Sequence, residues 1–220
     1  MPSADDDPLA HVAALPGVAE AIDRARGAVD DLRGHRVLRR YAERVSSESA
    51  LRGARASAAL DGADVPLDVL RRTVSASGRL PADGEPVVQG ALRVASEVGP
   101  LQATWSRAPL QVVARLHTLA AADLVDDPEA LGRPVPSVAG RLAALGDLLM
   151  APSSAPALVV AAIVHGELAT MGAFAQGSGL VARAAARLTL VDRGLDPKAV
   201  SVPEVGHVEL GRGAYLEALR

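Results

Sequence analysis

The chain has 220 residues, 49% of them apolar, which is enough for one domain with a real core. It contains no cysteine, which excludes disulfides, thiolate nucleophiles and cysteine-ligated metals together. A net charge of −3 gives no global field that would draw in nucleic acid or an anionic membrane.

Residues 1–9 read as a polar, acidic tail, unlike a secretory leader. From Val18 to about Ala50 the text is helical, with apolar Val29, Leu32 and Val37 and charges elsewhere; Gly27 and Gly34 weaken or break it. The basic cluster Arg33, Arg36, Arg39, Arg40 and Arg44 is interleaved with acids, and Tyr41 is its only aromatic. It reads as a solvated helix face rather than a nucleic-acid patch. Residues 1–45 form an N-terminal helical extension, and 46–100 a helical segment. In that segment a short helix stops at Gly62 and Pro66, and Leu67 to about Arg72 forms another. The stretch SASGRLPADGEP is turn-rich and reads as a loop.

Helices follow at about Val87–Val98 and Leu110–Asp123. Three prolines make 126–137 a loop, and a helix runs from about Val138 to Met150. Pro152 and Pro156 bound a connector, with Ser153 or Ser154 as N-cap candidates. Ala157–Met171 is apolar nearly all round and is expected to be the central buried helix. The longest apolar run, Ala155–Val164, is about half the length a bilayer needs, so no membrane association and a cytoplasmic location are expected. Leu180–Arg193 forms a helix closed by Gly194 and Pro197. The only strand candidate is AVSV near position 200, so the class is all-α.

The informative stretch runs from Met171 to Arg183, MGAFAQGSGLVAR. A helix enters a loop with two glycines, and a second helix starts there. The first N–H groups of that helix lack intrahelical partners and carry partial positive charge, as at many anion sites. Gly177 and Gly179 permit close approach, and Arg183 sits about one turn in. A plain helix–loop–helix turn with Arg183 at the surface explains the same residues equally well.

This stretch resembles the Fic/Fido signature: His, any residue, Phe, any residue, acid, Gly, Asn, Gly, Arg, two residues, Arg. Without gaps, Phe174, Gly177, Gly179 and Arg183 match it. AAIVHGELATM resembles the helix before the signature, ARAAARLTL the helix after it, and PLQVVARLHTLAA an earlier helix with its Leu-His pair. The resemblance covers about Leu110–Asp196 and implies a Fic/Fido-like helical bundle with its core in 101–220. It also implies a nucleotide or anion site at Phe174, Gln176, Gly177, Ser178, Gly179 and Arg183, with ATP or another nucleotide as the ligand of a retained pocket.

The departures fall on the chemistry. The family's histidine deprotonates the hydroxyl that attacks the nucleotide α-phosphate; here that position is Gly172. The acid that holds Mg²⁺ is Gln176, a poor ligand for a hard cation. Asn becomes Ser178, and the first Arg becomes Leu180. A positioned base adds roughly 10²- to 10⁴-fold, and phosphoryl chemistry rests on charge neutralisation. No catalytic residue and no metal ligand are therefore assigned, and AMP transfer is not expected.

A second resemblance lies upstream. Ser57-Ala-Ala-Leu-Asp61-Gly62 is similar to the family's inhibitory helix, Ser or Thr, three residues, Glu, then Gly or Asn, with Asp for Glu. There the carboxylate pairs with the last signature Arg, which implies an Asp61–Arg183 pair here. Two readings of function follow. One is a pseudoenzyme serving as a binding or regulatory scaffold, with a protein partner or a second copy of the chain as candidate partners. The other is a transferase acting on another phosphorylated or anionic ligand. A remote third is a dinucleotide-dependent oxidoreductase, from Gly177-x-Gly179-x-x-Ala182 with Glu204 as ribose ligand; it needs a preceding strand that GELATMGAF does not supply. The histidines His11, His35, His117, His165 and His207 have no metal spacing and read as packing or hydrogen-bonding residues.

Overall fold

A computed structural model describes residues 7–77 and 85–220. Part of the expected acidic tail and part of the turn-rich loop before Pro86 lie outside the described residues. Among the described residues there is no strand, and the protein is all-α. The helices are α1 Pro8–Ala13, α2 Val18–Gly34, α3 Leu38–Leu60, α4 Leu67–Ser77, α5 Pro86–Trp105 and α6 Pro109–Ala121, followed by α7 Ala139–Met150, α8 Ala157–Thr170, α9 Ser178–Asp192, α10 Pro203–Leu210 and α11 Arg212–Ala218.

Small side chains set the packing. The core is mostly Ala, Val and Leu, with Leu70, Leu116, Leu168, Leu180 and Leu188 among its most enclosed residues. α8, the expected central helix, packs on α9, and α9 is the deeper of the two. Eleven of its fifteen residues are buried, against six of fourteen in α8. α9 also meets α3, α5 and α6, so polar Arg183 and Arg187 are carried into the interior along with its apolar residues.

α5 and α6 approach most closely at Gly90. A Cβ there would lie 2.1 Å from the Ala120 carbonyl oxygen, well inside van der Waals contact. Gly90→Ala is therefore expected to cost about 1–3 kcal/mol, because two backbones must separate rather than one side chain rotate. Thermal unfolding checks it; an unchanged Tm would mean that the α5–α6 contact yields freely.

Several local expectations change. The helical text from Val18 breaks once, at His35–Val37 after Gly34, while Gly27 is absorbed inside α2. The segment ending at Leu60 is the last part of α3, which runs unbroken past position 45 with one non-helical residue, Tyr41. Position 100 likewise falls within α5, which continues through Pro100 to Trp105. Ser153 and Ser154 do not cap α8, whose N-cap is Pro156. Their hydroxyls donate instead to Asp7, at 2.9 Å from Ser153 and 3.3 Å from Ser154. Asp7 also accepts the Leu9 N–H and so starts α1. Burial would raise its pKa, but these hydrogen bonds outweigh it and hold the carboxyl below its usual range.

The AVSV segment is an irregular loop, because the Asp196 carboxylate accepts the N–H groups of Val200 and Ser201 and so takes the donors a strand would need. Beyond it lie α10 and α11, two helices that sequence periodicity did not reveal.

Candidate anion site at the start of α9

α3 ends in a Schellman turn. Gly62 has φ +96°, the Ala63 N–H donates to Ala58 O, and the Gly62 N–H donates to Ala59 O. The Asp61 N–H turns to Ala58 O, which leaves carbonyls of the last turn open to other donors. Arginines take two of them: Arg183 Nη2 donates to Ser57 O at 3.0 Å, and Arg212 Nε to Leu60 O at 3.0 Å. Cations are favoured here because the helix C-terminus carries partial negative charge.

α9 starts opposite. Gly177 (φ +76°) is its left-handed N-cap, with no side-chain cap. Arg183 is 3% exposed, which excludes a surface position. Its Nε donates to Ser57 Oγ at 2.7 Å, its Nη1 donates to Tyr215 Oη at 3.2 Å, and its Nη2 lies 2.9 Å from Asp61 Oδ2. Asp61 thus lies against the first turn of α9. A Cβ on residue 179 would sit 2.6 Å from Asp61 Oδ1, so a larger residue there would push the carboxylate from its present position.

The loop before α9 is held from the other side. Phe174 is buried and stacks on His117, with ring centroids 3.8 Å apart. His117 Nδ1 accepts the Gly132 N–H at 2.9 Å, so its Nε2–H donates to Gln176 O at 3.2 Å. Both contacts fit a neutral ring, and burial pushes the His117 pKa down, with the Gln176 carbonyl opposing. Ser178 Oγ donates to Phe174 O at 3.1 Å. Phe174 and Ser178 therefore shape the loop, while Gly172 (φ +65°) and the Gln176 side chain face solvent at its rim. The loop offers no carboxylate to a divalent cation, so Mg²⁺ does not fit the residues present. Among the described residues no cluster of three or more His, Asp or Glu could hold a metal ion.

The residues that sequence reasoning missed come from α8, α10 and α11. Tyr215 Oη lies 2.8 Å from His165 Nε2. Because it accepts from Arg183, its own O–H donates to His165. Protonating His165 would remove that acceptor and add a charge beside Arg183. The His165 pKa is accordingly pushed down to about 4, by burial first and then by His207 and Arg183. His207, whose ring lies 5.2 Å from that of His165, is lowered by burial, with Glu204 opposing and Arg183 adding.

A histidine of lowered folded pKa contributes its full stability above the unfolded value, about 6.5. That contribution is lost as pH falls from there toward about 4, where further loss stops. Stability is expected to drop by about 2 kcal/mol by pH 5 from this group alone. Denaturant titrations in this window check it, and His165→Gln is expected to flatten the profile.

Glu204 stands elsewhere, 4% exposed, with Oε1 3.8 Å from Arg187 Nη1 and Oε2 without a partner. It borders a cavity of about 20 Å³, room for roughly one water. It therefore faces Arg187 rather than the glycine loop. That loop follows helix α8, so the strand that a dinucleotide site requires is replaced by a helix.

No helix among the described residues is long and apolar enough to cross a membrane. The sequence matches no family model and no curated protein. Solved structures do match. A Fic family protein from Desulfovibrio desulfuricans G20 superposes with a TM-score of 0.74 at 18% identity, covering 90% of this chain and 65% of its own length. Fic-1 from C. elegans superposes with a TM-score of 0.62 at 19% identity, covering 96% of this chain and 80% of that one. This chain thus spans less than two thirds of the first protein, and the likeness is one of architecture. On this likeness the chain has the all-α fold of the Fic family.

Proposed function

We propose that this protein is a Fic-fold pseudoenzyme: a binding or regulatory scaffold whose former nucleotide site is closed by its own Asp61. The observation that carries this reading is the enclosure of Arg183, whose guanidinium is taken up by Ser57, Asp61 and Tyr215. An incoming phosphate would have to displace the Asp61 carboxylate from that cation and from the first turn of α9. The motif's base position is Gly172 and its acid position is Gln176, so a bound nucleotide would meet neither a proton acceptor nor a metal-holding carboxylate.

Calorimetric titration with ATP, with and without Mg²⁺, tests the reading. Wild-type protein is expected to bind weakly or not at all. Asp61→Ala is expected to bind about tenfold tighter or better, because the competing anion is gone. Neither is expected to transfer AMP. Mg²⁺-dependent transfer from ATP onto any protein, abolished by Arg183→Ala, would overturn the reading.

A further inference from the structure

The groove beneath α2 is charged opposite to the chain that carries it. α2 has no buried residue. Between α2, α3, α4 and the turn at 196–200 run two adjoining clefts of about 870 and 410 Å³ that share Val200. Six basic side chains line them: Arg33, Arg39, Arg44, Arg52, Arg71 and Lys198. The acids lining them are Asp30, Glu48 and Asp196. Among the described residues this leaves a net charge of +3 in the groove, within a chain of net charge −3.

All three acids are already engaged. Asp30 lies 3.9 Å from Arg33 and 4.0 Å from Arg26. Glu48 is held by both Arg52 and Arg71, and Asp196 by the backbone N–H groups of Val200 and Ser201. The floor is apolar: Leu32, Val37, Tyr41 and Val74, four of the eight exposed large hydrophobic residues among those described, all line the larger cleft. An exposed apolar patch of this kind with a polar rim marks an interaction surface.

We propose that this groove is the docking site for an acidic amphipathic helix of a partner protein. A helix laid along it would cover the aliphatic floor with its apolar stripe and turn its carboxylates to the rim arginines. Single-stranded nucleic acid fits less well, because it needs stacking platforms and Tyr41 is the only aromatic lining the clefts. The proposal does not depend on the state of the nucleotide site.

The test pans a displayed library of helical peptides on the full chain. The peptides are roughly 16 residues long, four to five turns, with Leu, Val or Ala on one face and Glu, Asp, Lys or Arg on the other. Enriched peptides are expected to carry carboxylates and to bind more weakly as salt rises. Fluorescence anisotropy is expected to show losses of about tenfold or more for Val74→Glu and for Arg44→Glu. Both positions are exposed, and circular dichroism with a melting curve establishes that the variants remain folded. The proposal is overturned by the absence of enrichment, by enrichment of basic peptides, or by affinity that survives Val74→Glu. It is equally overturned if a single-stranded oligonucleotide binds the groove more tightly than the peptides, or if a second copy of the chain occupies it in sedimentation experiments.

Discussion

Replacing Leu180 with arginine, which restores one residue of the signature, is expected to destabilise the chain by about 3–5 kcal/mol rather than rebuild a phosphate site. Leu180 is 1% exposed, and it faces a cavity wall shared with Ala54, Ala91, Val94 and Ala184. The free oxygen of Glu204 borders the same cavity, so a guanidinium that reached it would recover part of the cost. The space holds roughly one water, however, and an arginine side chain is several times larger. The expected readout is a fall in Tm of about 10 °C, with Leu180→Met changing it little. An unchanged Tm would mean that this wall opens to admit the charge. Gly172 and Gln176 behave differently because they lie at the exposed rim. Gln176→Asp is expected to be tolerated there, whereas Gly172→His places a side chain at φ +65°, which L residues adopt at a cost.

The sequence was most legible where a residue's chemistry has one outlet. Gly62 reads as a helix end, and the run from Met171 to Arg183 reads as helix, turn and helix; both stand where the text put them. The Asp61–Arg183 pair was implied by the family resemblance alone, and it forms at 2.9 Å. The third partner was not legible. Tyr215 sits in a seven-residue helix with little periodicity, and nothing local says that it reaches back 32 residues to Arg183. His165 reads from sequence as a packing or hydrogen-bonding residue, and it is one, but its partner Tyr215, which connects it to Arg183, lies 50 residues on. Asp7 was lost in an acidic tail because its partners, Ser153 and Ser154, lie 146 and 147 residues away. Local signals carry helices and turns; long-range polar contacts depend on the tertiary arrangement.

Arg183→Ala is expected to cost about 3–5 kcal/mol, because it strips a buried cation from partners that nothing else satisfies. Ser57 would lose a donor to its hydroxyl and another to its carbonyl. Tyr215 would lose the donor to its oxygen, and Asp61 would remain against Gly179 without a counter-charge. Asp61→Ala is expected to cost less, about 1–2 kcal/mol. The Asp61 side chain is 27% exposed, and in its absence Arg183 keeps Ser57 and Tyr215. If the two act as one lock, the double variant costs about 1–2 kcal/mol less than the sum of the singles. Additive costs would show that Asp61 rests on the helix start independently of Arg183. Inorganic phosphate separates the two cases further. It is expected to raise the Tm of Asp61→Ala, where Arg183 faces an open helix N-terminus, and to leave the double variant unchanged. A phosphate response in the double variant would place the anion at the backbone of α9 alone and assign Arg183 to folding rather than recognition.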